Sequence, residues 1–217
     1  REFGDFVERV VKWADGSVVT LVAPQKAGGS HLFLSHVWAY GQDLAASLKS
    51  SLRGFMPSCT IFLDVDDLRD ISHLETHVEE SEVILIVVTD KYLSSYNCRR
   101  ELSAAMQLHR QGKPLLLLCE TDEAKGATSI ARLKAELEAL IASGKFVGAT
   151  AQQKQVGQQQ QWAAERLIRL LEQGSTTTYL DVSVIEYHRE KHLKLSALKA
   201  IAAALINTNV HLQSQRT

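Results

Sequence analysis

The chain has 217 residues, of which 45% are hydrophobic and 23% are charged, proportions that are ordinary for one sizeable globular domain. Its formal net charge is -1, so no overall field attracts nucleic acid or an anionic membrane. No uninterrupted apolar run approaches the ~20 residues that cross a bilayer, and the first residues lack a signal-peptide pattern, so we expect a cytoplasmic protein without membrane attachment.

Residues 1–29 are predicted to form an N-terminal extension, and their pattern is compatible with two different structures. Apolar residues at helical spacing favour a helix, whereas Asp15-Gly16 between valine-rich runs favours a hairpin. Residues 18–22 predict a strand in either case, and residues 24–30 predict a linker. Because the chain starts at Arg1 instead of Met, we expect it to be excised from a longer or processed protein.

Apolar runs alternate with amphipathic segments over the next part of the chain. The predicted strands cover residues 31–35, 59–63, 83–88 and 114–118, and the predicted helices cover residues 43–52, 71–80, 97–109 and 130–141. The strand runs are continuously apolar, which indicates burial on both faces. The pattern therefore predicts an α/β domain in which helices cover both sides of a parallel sheet.

The C-terminal third gives weaker signals. Residues 145–147 are the candidate for a fifth strand, and the glutamine-rich residues 151–161 predict a flexible loop that leads into a helix. Residues 177–185 predict a further strand, residues 193–206 predict a helix, and the polar tail after Asn207 is expected to fray. We interpret residues 30–175 as the central domain and residues 176–217 as a strand-helix extension with a polar tail.

Ligands of open parallel sheets bind beyond the carboxyl ends of the strands. The chain has no P-loop and no G-x-G-x-x-G motif, which argues against an NTPase or a dinucleotide dehydrogenase. Asp64, Asp66 and Asp67 follow the second strand and resemble the Mg²⁺ site of phosphoacceptor receiver domains. That family, however, places its acidic pair after the first strand, which here ends in Ser35-His36. Two pairs of histidines four residues apart lack a third ligand, so no metal site is predicted.

The cysteines are expected to be free thiols. Cys59, Cys98 and Cys119 are an odd number without a C-x-x-C pair, which argues against a disulfide framework and fits a reducing cytosol. Cys98 lies beside two arginines near a helix start, where a thiol becomes reactive, but it also lies on an apolar helix stripe. We favour packing for Cys98.

Four segments in order resemble the boxes of the Toll/interleukin-1 receptor (TIR) domain family, in its plant-like form. Residues 31–35 resemble the strand that ends in Phe-x-Ser, and residues 61–68 resemble the second strand and the loop after it. Residues 79–89 resemble the "x-E-S" step into the third strand, and residues 92–102 resemble the "Y-x-x-S…C-x-x-E-L" segment. The resemblance implies a flavodoxin-like three-layer sandwich with a central, mainly parallel five-stranded sheet, to which this chain adds terminal extensions.

The resemblance also implies one of two functions. Some TIR domains recruit other TIR domains as a scaffold, and others cleave the N-glycosidic bond of NAD⁺ with one glutamate, which by motif is Glu101. One carboxylate suffices because nicotinamide is already a pyridinium cation and leaves neutral, so no general acid is needed. The carboxylate then stabilises an oxocarbenium-like ribose and orients its hydroxyls. A structural alternative for Glu101 is a favourable interaction with the helix dipole in the first turn.

One position departs from the family pattern. The tryptophan that often precedes the glutamate by four residues is here Asn97, which suits a helix N-cap, so Tyr96 or Trp38 is the candidate aromatic contact. Trp38 and Tyr40 are expected in the loop after the first strand, where they cover the ligand.

NAD⁺ is expected as a substrate, with no cofactor. The residues expected to bind it are Ser35, His36, Val37, Trp38, Asp64, Asp67, Leu68, Tyr96, Asn97 and Cys98. The expected partners are other copies of the chain or other TIR domains, which are expected to bind through the loop over residues 64–70. Neither a membrane nor nucleic acid is expected as a partner.

Overall fold

The computed structural model describes residues 20–63, 73–146, 150–173 and 182–215. The expected N-terminal helix or hairpin and the ligand-binding candidates Asp64, Asp67 and Leu68 lie outside these ranges. So does the whole of the predicted loop over residues 64–70.

Within the described ranges, parallel strands form one sheet in the order β2-β1-β3-β4-β5. The strands are β1 (Leu32–Ser35), β2 (Ile61–Leu63), β3 (Val83–Val88), β4 (Leu115–Glu120) and β5 (Ser183–Tyr187). This order reverses direction at β1, because β2 lies on one side of β1 and β3 on the other. In a flavodoxin-like sheet, the crevice at this reversal is where a ligand binds.

The helices alternate with the strands along the chain. They are α1 (Trp38–Phe55), α2 (Leu74–Glu80), α3 (Tyr96–Arg110), α4 (Ile130–Ala142), α5 (Ala151–Gln173) and α6 (Lys191–Ser214). Short 3₁₀ turns precede α3 at Tyr92–Ser94 and α4 at Glu123–Lys125. The α/β class and the parallel sheet predicted from the sequence are confirmed.

Helices cover both faces of the sheet because alternate strand residues point in opposite directions. Leu32, Leu34 and Leu85 face one layer, in which α1 and α6 supply the helical side chains. Phe33, Ile84 and their neighbours face the other layer, which contains residues of α2, α3, α4 and α5. The result is a three-layer sandwich.

The prediction of the fifth strand was wrong. Lys145 and Phe146 lie in a turn after α4, Val147 lies outside the described residues, and the fifth strand is Ser183–Tyr187. Strand β5 is an edge strand that buries only two of its five residues, so its sequence lacks the continuous apolar run of a central strand. The strand and helix expected after residue 176 therefore complete the sheet and one of its covering layers.

The glutamine-rich segment is helical, and the loop predicted there was wrong. Helix α5 begins at Ala151 and buries a stripe that contains Gly157, Gln160 and Ala164. At Gly157 an added Cβ would lie 1.5 Å from the carbonyl oxygen of Phe146, so only glycine permits this approach. Tertiary packing thus overrides the polar composition.

The tail after Asn207 is also ordered as helix, to Ser214, where fraying was expected. Asn209 accounts for part of this order, because its buried side chain is hydrogen-bonded to the backbone of Val22. The Val22 N–H donates to Asn209 Oδ1 at 3.1 Å, and Asn209 Nδ2 donates to the Val22 carbonyl at 3.2 Å.

One helix in the described part of the chain is long and apolar enough to cross a membrane, by length and composition. It comprises Leu193–Ser214, with a mean hydropathy of 1.2. The search for uninterrupted apolar runs missed it because polar residues divide the segment. One stripe of this helix packs in the core against the sheet; its members are Ala197, Leu198, Ile201, Ala202 and Leu205.

Candidate active site

Glu101 lies on the second turn of α3, and the structure removes the dipole explanation for it. Helix α3 begins at Tyr96, and Ser95 is its N-cap, with its Oγ accepting the Cys98 N–H at 3.3 Å. The N-cap expected at Asn97 is therefore wrong by two residues, because Asn97 is the second residue of the helix. No acidic residue lies in the first turn, and the dipole effect fades beyond that turn.

The Glu101 side chain points into the protein. It is 2% exposed, and its Oε2 accepts a hydrogen bond from the hydroxyl of Ser35, the last residue of β1. Burying a carboxylate costs free energy unless partners compensate for the lost water. Glu101 is held at the carboxyl edge of the sheet, at β1, where the strand order reverses. A buried carboxylate at that position is typical of a functional site rather than of a surface helix.

Tyr92 is a member of this cluster that the sequence did not identify as a site residue. Its hydroxyl lies 2.6 Å from Ser35 Oγ and 3.3 Å from the carbonyl oxygen of Cys98. The Ser35 hydroxyl has one proton, which it donates to Glu101. In the shorter of the two Tyr92 contacts, the Tyr92 hydroxyl is therefore the donor and Ser35 Oγ the acceptor. A buried chain of hydroxyls therefore leads to the carboxylate and restricts its orientation.

His36 and Cys98 adjoin the cluster of Ser35, Tyr92 and Glu101. His36 is buried, and its carbonyl oxygen accepts the Cys98 thiol at 3.4 Å. Gly41 of α1 makes room for the His36 side chain, since a Cβ there would lie 2.9 Å from His36 Cβ. Cys98 is buried in an apolar cluster, as the packing interpretation expects.

The aromatic candidates lie in different places. Asn97 precedes Glu101 by one helical turn, so the two share a helix face, and Asn97 is half-buried. Tyr96 is turned about 140° from Glu101 by helical geometry and lines a separate groove between α2, α3 and α5. Trp38, expected in a loop, is the first residue of α1 and is 65% exposed. Val37 precedes it as the N-cap.

Tyr40 covers the end of β3, although it lies in α1 and not in a loop. Its ring lies against Gly126, where an added Cβ would be 2.9 Å from the ring and 2.7 Å from Asp90 Oδ1. Gly126 has a φ of 75°, and its carbonyl accepts the Asp90 N–H at 3.1 Å. Tyr40 and Asp90 therefore border the same edge of the sheet as Ser35.

A second buried carboxylate differs from Glu101 in its partners. Glu120, at the end of β4, is fully buried and binds the Arg189 guanidinium at 2.7 Å. Its other oxygen accepts the N–H groups of Thr121 and Asp122 at 3.0 and 2.9 Å. An ion pair with this many donors links the ends of β4 and β5, so we interpret Glu120 as structural.

The cysteines and histidines of the described ranges form no evident reactive centre. Burial raises the pKa of Cys59 to about 12 and that of Cys119 to about 11, which keeps both thiols protonated. Among the residues that the structure places, no three His, Cys, Asp or Glu side chains are grouped to hold a metal ion.

Comparison with known proteins gives one family. Residues 32–145, more than half of the chain, match the family model described as TIR domain. A solved structure that matches is that of the TIR domains of the activated Roq1 resistosome directly recognizing the pathogen effector XopQ. It is 16% identical, covers 81% of this chain and 98% of that chain, and has a TM-score of 0.48. No curated protein sequence matches.

Proposed function

The chain belongs to the TIR domain family, and from that premise we propose that it cleaves NAD⁺ at the nicotinamide N-glycosidic bond, with Glu101 as the catalytic carboxylate. The observation that carries the proposal is the buried Glu101 carboxylate, hydrogen-bonded to Ser35 at the reversal of strand order. This is the position at which a flavodoxin-like sheet binds its ligand.

The chemistry needs one anion and little else. The bond between the ribose C1′ and the pyridinium nitrogen breaks, and its electron pair neutralises the nicotinamide that leaves. The positive charge that develops on the ribose is stabilised by the Glu101 carboxylate. Water then adds at C1′ and loses a proton, giving ADP-ribose; attack by a nucleophile within the molecule gives a cyclic form instead.

The neighbours of Glu101 have separate tasks in this proposal. Ser35, oriented by Tyr92, fixes the direction of the carboxylate. Asn97 lies on the same helix face and supplies an amide to the ribose or the nicotinamide carboxamide. Exposed Trp38 offers a ring face at the rim. His36, Val37 and Cys98 shape the wall through backbone groups and packing, and Tyr96 is a weaker candidate because it lines the other groove.

We also propose that the protein acts in the cytoplasm and that self-association, or association with other TIR domains, raises its activity. The loop over residues 64–70, with Asp64, Asp67 and Leu68, is the proposed contact. This loop follows β2, which ends at the same edge of the sheet as Ser35, so a contact made there would lie close to the proposed NAD⁺ site.

The test is nicotinamide release from NAD⁺ by the purified chain at increasing protein concentration. We expect release whose rate per molecule rises with concentration, and loss of release in Glu101→Ala. Glu136→Gln, on the half-buried side of α4, is the matched control and should retain the rate. Release that is unchanged in Glu101→Ala would remove the assigned role. A folded, self-associating but inactive wild type would identify a scaffold instead.

A further inference from the structure

Helix α5 is attached to the domain mainly through other helices. The elements that pack most extensively against it are α3 and α4. The first half of α5, residues 151–161, buries only Gly157 and Gln160. The fully buried apolar side chains of this 23-residue helix are Ala163, Ala164 and Leu167, and two of these three are alanines. The fully buried side chains of α5 therefore give little hydrophobic stabilisation to its contact with the domain.

Four residues of α3 and α5 bury polar side-chain atoms that have no hydrogen-bond partner in the described part of the chain. On α3 these atoms are Ser103 Oγ and both ring nitrogens of His109, and on α5 they are Gln160 Nε2 and Arg166 Nε. Folded proteins bond most of their buried polar groups, because each group left without a partner costs free energy. Separation of the helices that enclose these atoms would return them to water, so this cost opposes the packed position of α5.

His109 and Arg166 make the contact between α3 and α5 sensitive to charge. His109 is 1% exposed. Burial and, after it, the positive charge of Arg166 lower the pKa of His109 below its ordinary 6.5. Among the charged groups that α2, β4 and α5 bring against α3 in the described ranges, Arg166 of α5 is the one that acts on His109, and no carboxylate counters it.

Protonation of His109 would make the packed arrangement less favourable in two ways. The imidazolium has N–H donors at both ring nitrogens, and neither nitrogen has an acceptor among the described residues. The new positive charge would also lie near the Arg166 guanidinium in a part of the protein from which water is excluded, where like charges repel more strongly than in water. Both effects disappear when the ring reaches water.

We propose that α5 is a displaceable helix, which separates from α3 when His109 is protonated while the sheet stays folded. The separated state takes up a proton on His109 more readily than the packed state, so it becomes more populated as the pH falls below about 6.5. Separation exposes Ala163, Ala164 and Leu167, which are covered in the packed state. The proposal does not depend on NAD⁺ cleavage.

The experiment is amide hydrogen exchange of the full chain at pH 7.5 and 5.5, read by mass spectrometry and corrected for the intrinsic effect of pH on exchange. We expect the opening constant of α5 to be about tenfold higher at pH 5.5, with the protection of β3 and β4 retained. His109→Leu should remove the increase. His211→Leu, at an exposed histidine of α6, is the matched control and should keep it.

A second variant, Arg166→Met, tests the same contact from α5. Without the Arg166 charge the packed state accepts a proton on His109 more readily, so the increase in opening should be smaller than in the wild type. The proposal is overturned by α5 exchange that is the same at both pH values, by an increase that persists in His109→Leu or is undiminished in Arg166→Met, or by loss of protection in β3 and β4 together with α5.

Discussion

At the scale of single residues, the arrangement around Glu101 depends on contacts that are distant in sequence. Ser35 and Glu101 are separated by 66 positions and Ser35 and Tyr92 by 57. The strand-end rule predicted Ser35, and the family motif predicted Glu101. Nothing in the sequence indicated that Tyr92 would contact the Ser35 hydroxyl, because its own hydroxyl reaches Ser35 only after β1 and β3 are paired.

Replacement of Tyr92 with Phe tests the orienting role of its hydroxyl. The variant loses one donor to Ser35, so the carboxylate is held less firmly, and kcat for nicotinamide release should fall about tenfold, the equivalent of one hydrogen bond. Steady-state kinetics measure the change. Tyr187→Phe, at another buried tyrosine, should retain the wild-type kcat; an unchanged kcat in Tyr92→Phe would show that the hydroxyl does not orient the site.

At the scale of elements, α3 and α5 pack against each other in the layer that contains the site. Composition could not predict this contact, because eight of the first eleven residues of α5 are polar. The small residues Gly157, Ala163 and Ala164 are buried on α5, and Gly157 lies against the Phe146 carbonyl in the turn after α4. Such an effect depends on the partner surface, so it cannot be inferred from local propensity.

Gly157→Ala tests the approach of α5 to the turn after α4. The added methyl group would overlap the Phe146 carbonyl, so we expect a loss of about 2 kcal/mol or more in the free energy of unfolding. Urea denaturation measures it. Gly54→Ala is the control, since a Cβ at that helical position meets nothing within 4 Å, and it should be neutral or stabilising. Equal stability of Gly157→Ala and wild type would refute the assigned contact.

His109 makes the packing of α3 sensitive to pH. It is 1% exposed, and burial, followed by the nearby Arg166 charge, lowers its pKa below the ordinary 6.5. His109 therefore binds a proton less readily in the folded state than in the unfolded state. The stability that this group contributes is complete above about pH 6.5 and decreases as the pH falls below that value toward the pKa of the folded state.

The measurement is the free energy of unfolding between pH 7.5 and 5 for wild type and His109→Leu. The wild type should lose more stability over this window than the variant, because only in the wild type does unfolding let residue 109 take up a proton. Parallel curves for the two proteins would contradict the assignment to His109.

At the scale of the whole molecule, the continuous apolar strands were sufficient to predict a parallel α/β sandwich. The C-terminal boundary of the central domain is harder to predict. Strand β5 is an edge strand without a continuous apolar run, and two helices separate it from β4 along the chain. The placement of residues 30–175 as a domain and 176–217 as an extension stays a prediction. Strand β5 and helix α6 nevertheless supply buried residues to the core.

Truncation at residue 175 tests whether the last segment is an extension or part of the folding unit. Without β5 and α6, one face of the sheet would expose Leu116, Leu118 and their neighbours, so we expect an insoluble or unfolded product. Circular dichroism and size-exclusion chromatography measure the outcome. A control that ends at residue 215 should fold; a cooperatively folding chain of residues 1–175 would show that the segment is dispensable.

The central claim is that the buried Glu101 carboxylate acts on the bond that breaks. The most direct measurement is the kcat and KM of Glu101→Gln for NAD⁺, because glutamine keeps the shape and removes the charge. A group that stabilises only the transition state changes kcat and leaves KM nearly constant. We predict a fall in kcat of about 10³-fold, with KM changed by less than about threefold. A variant that retains the wild-type kcat, or that changes only KM, would contradict the account.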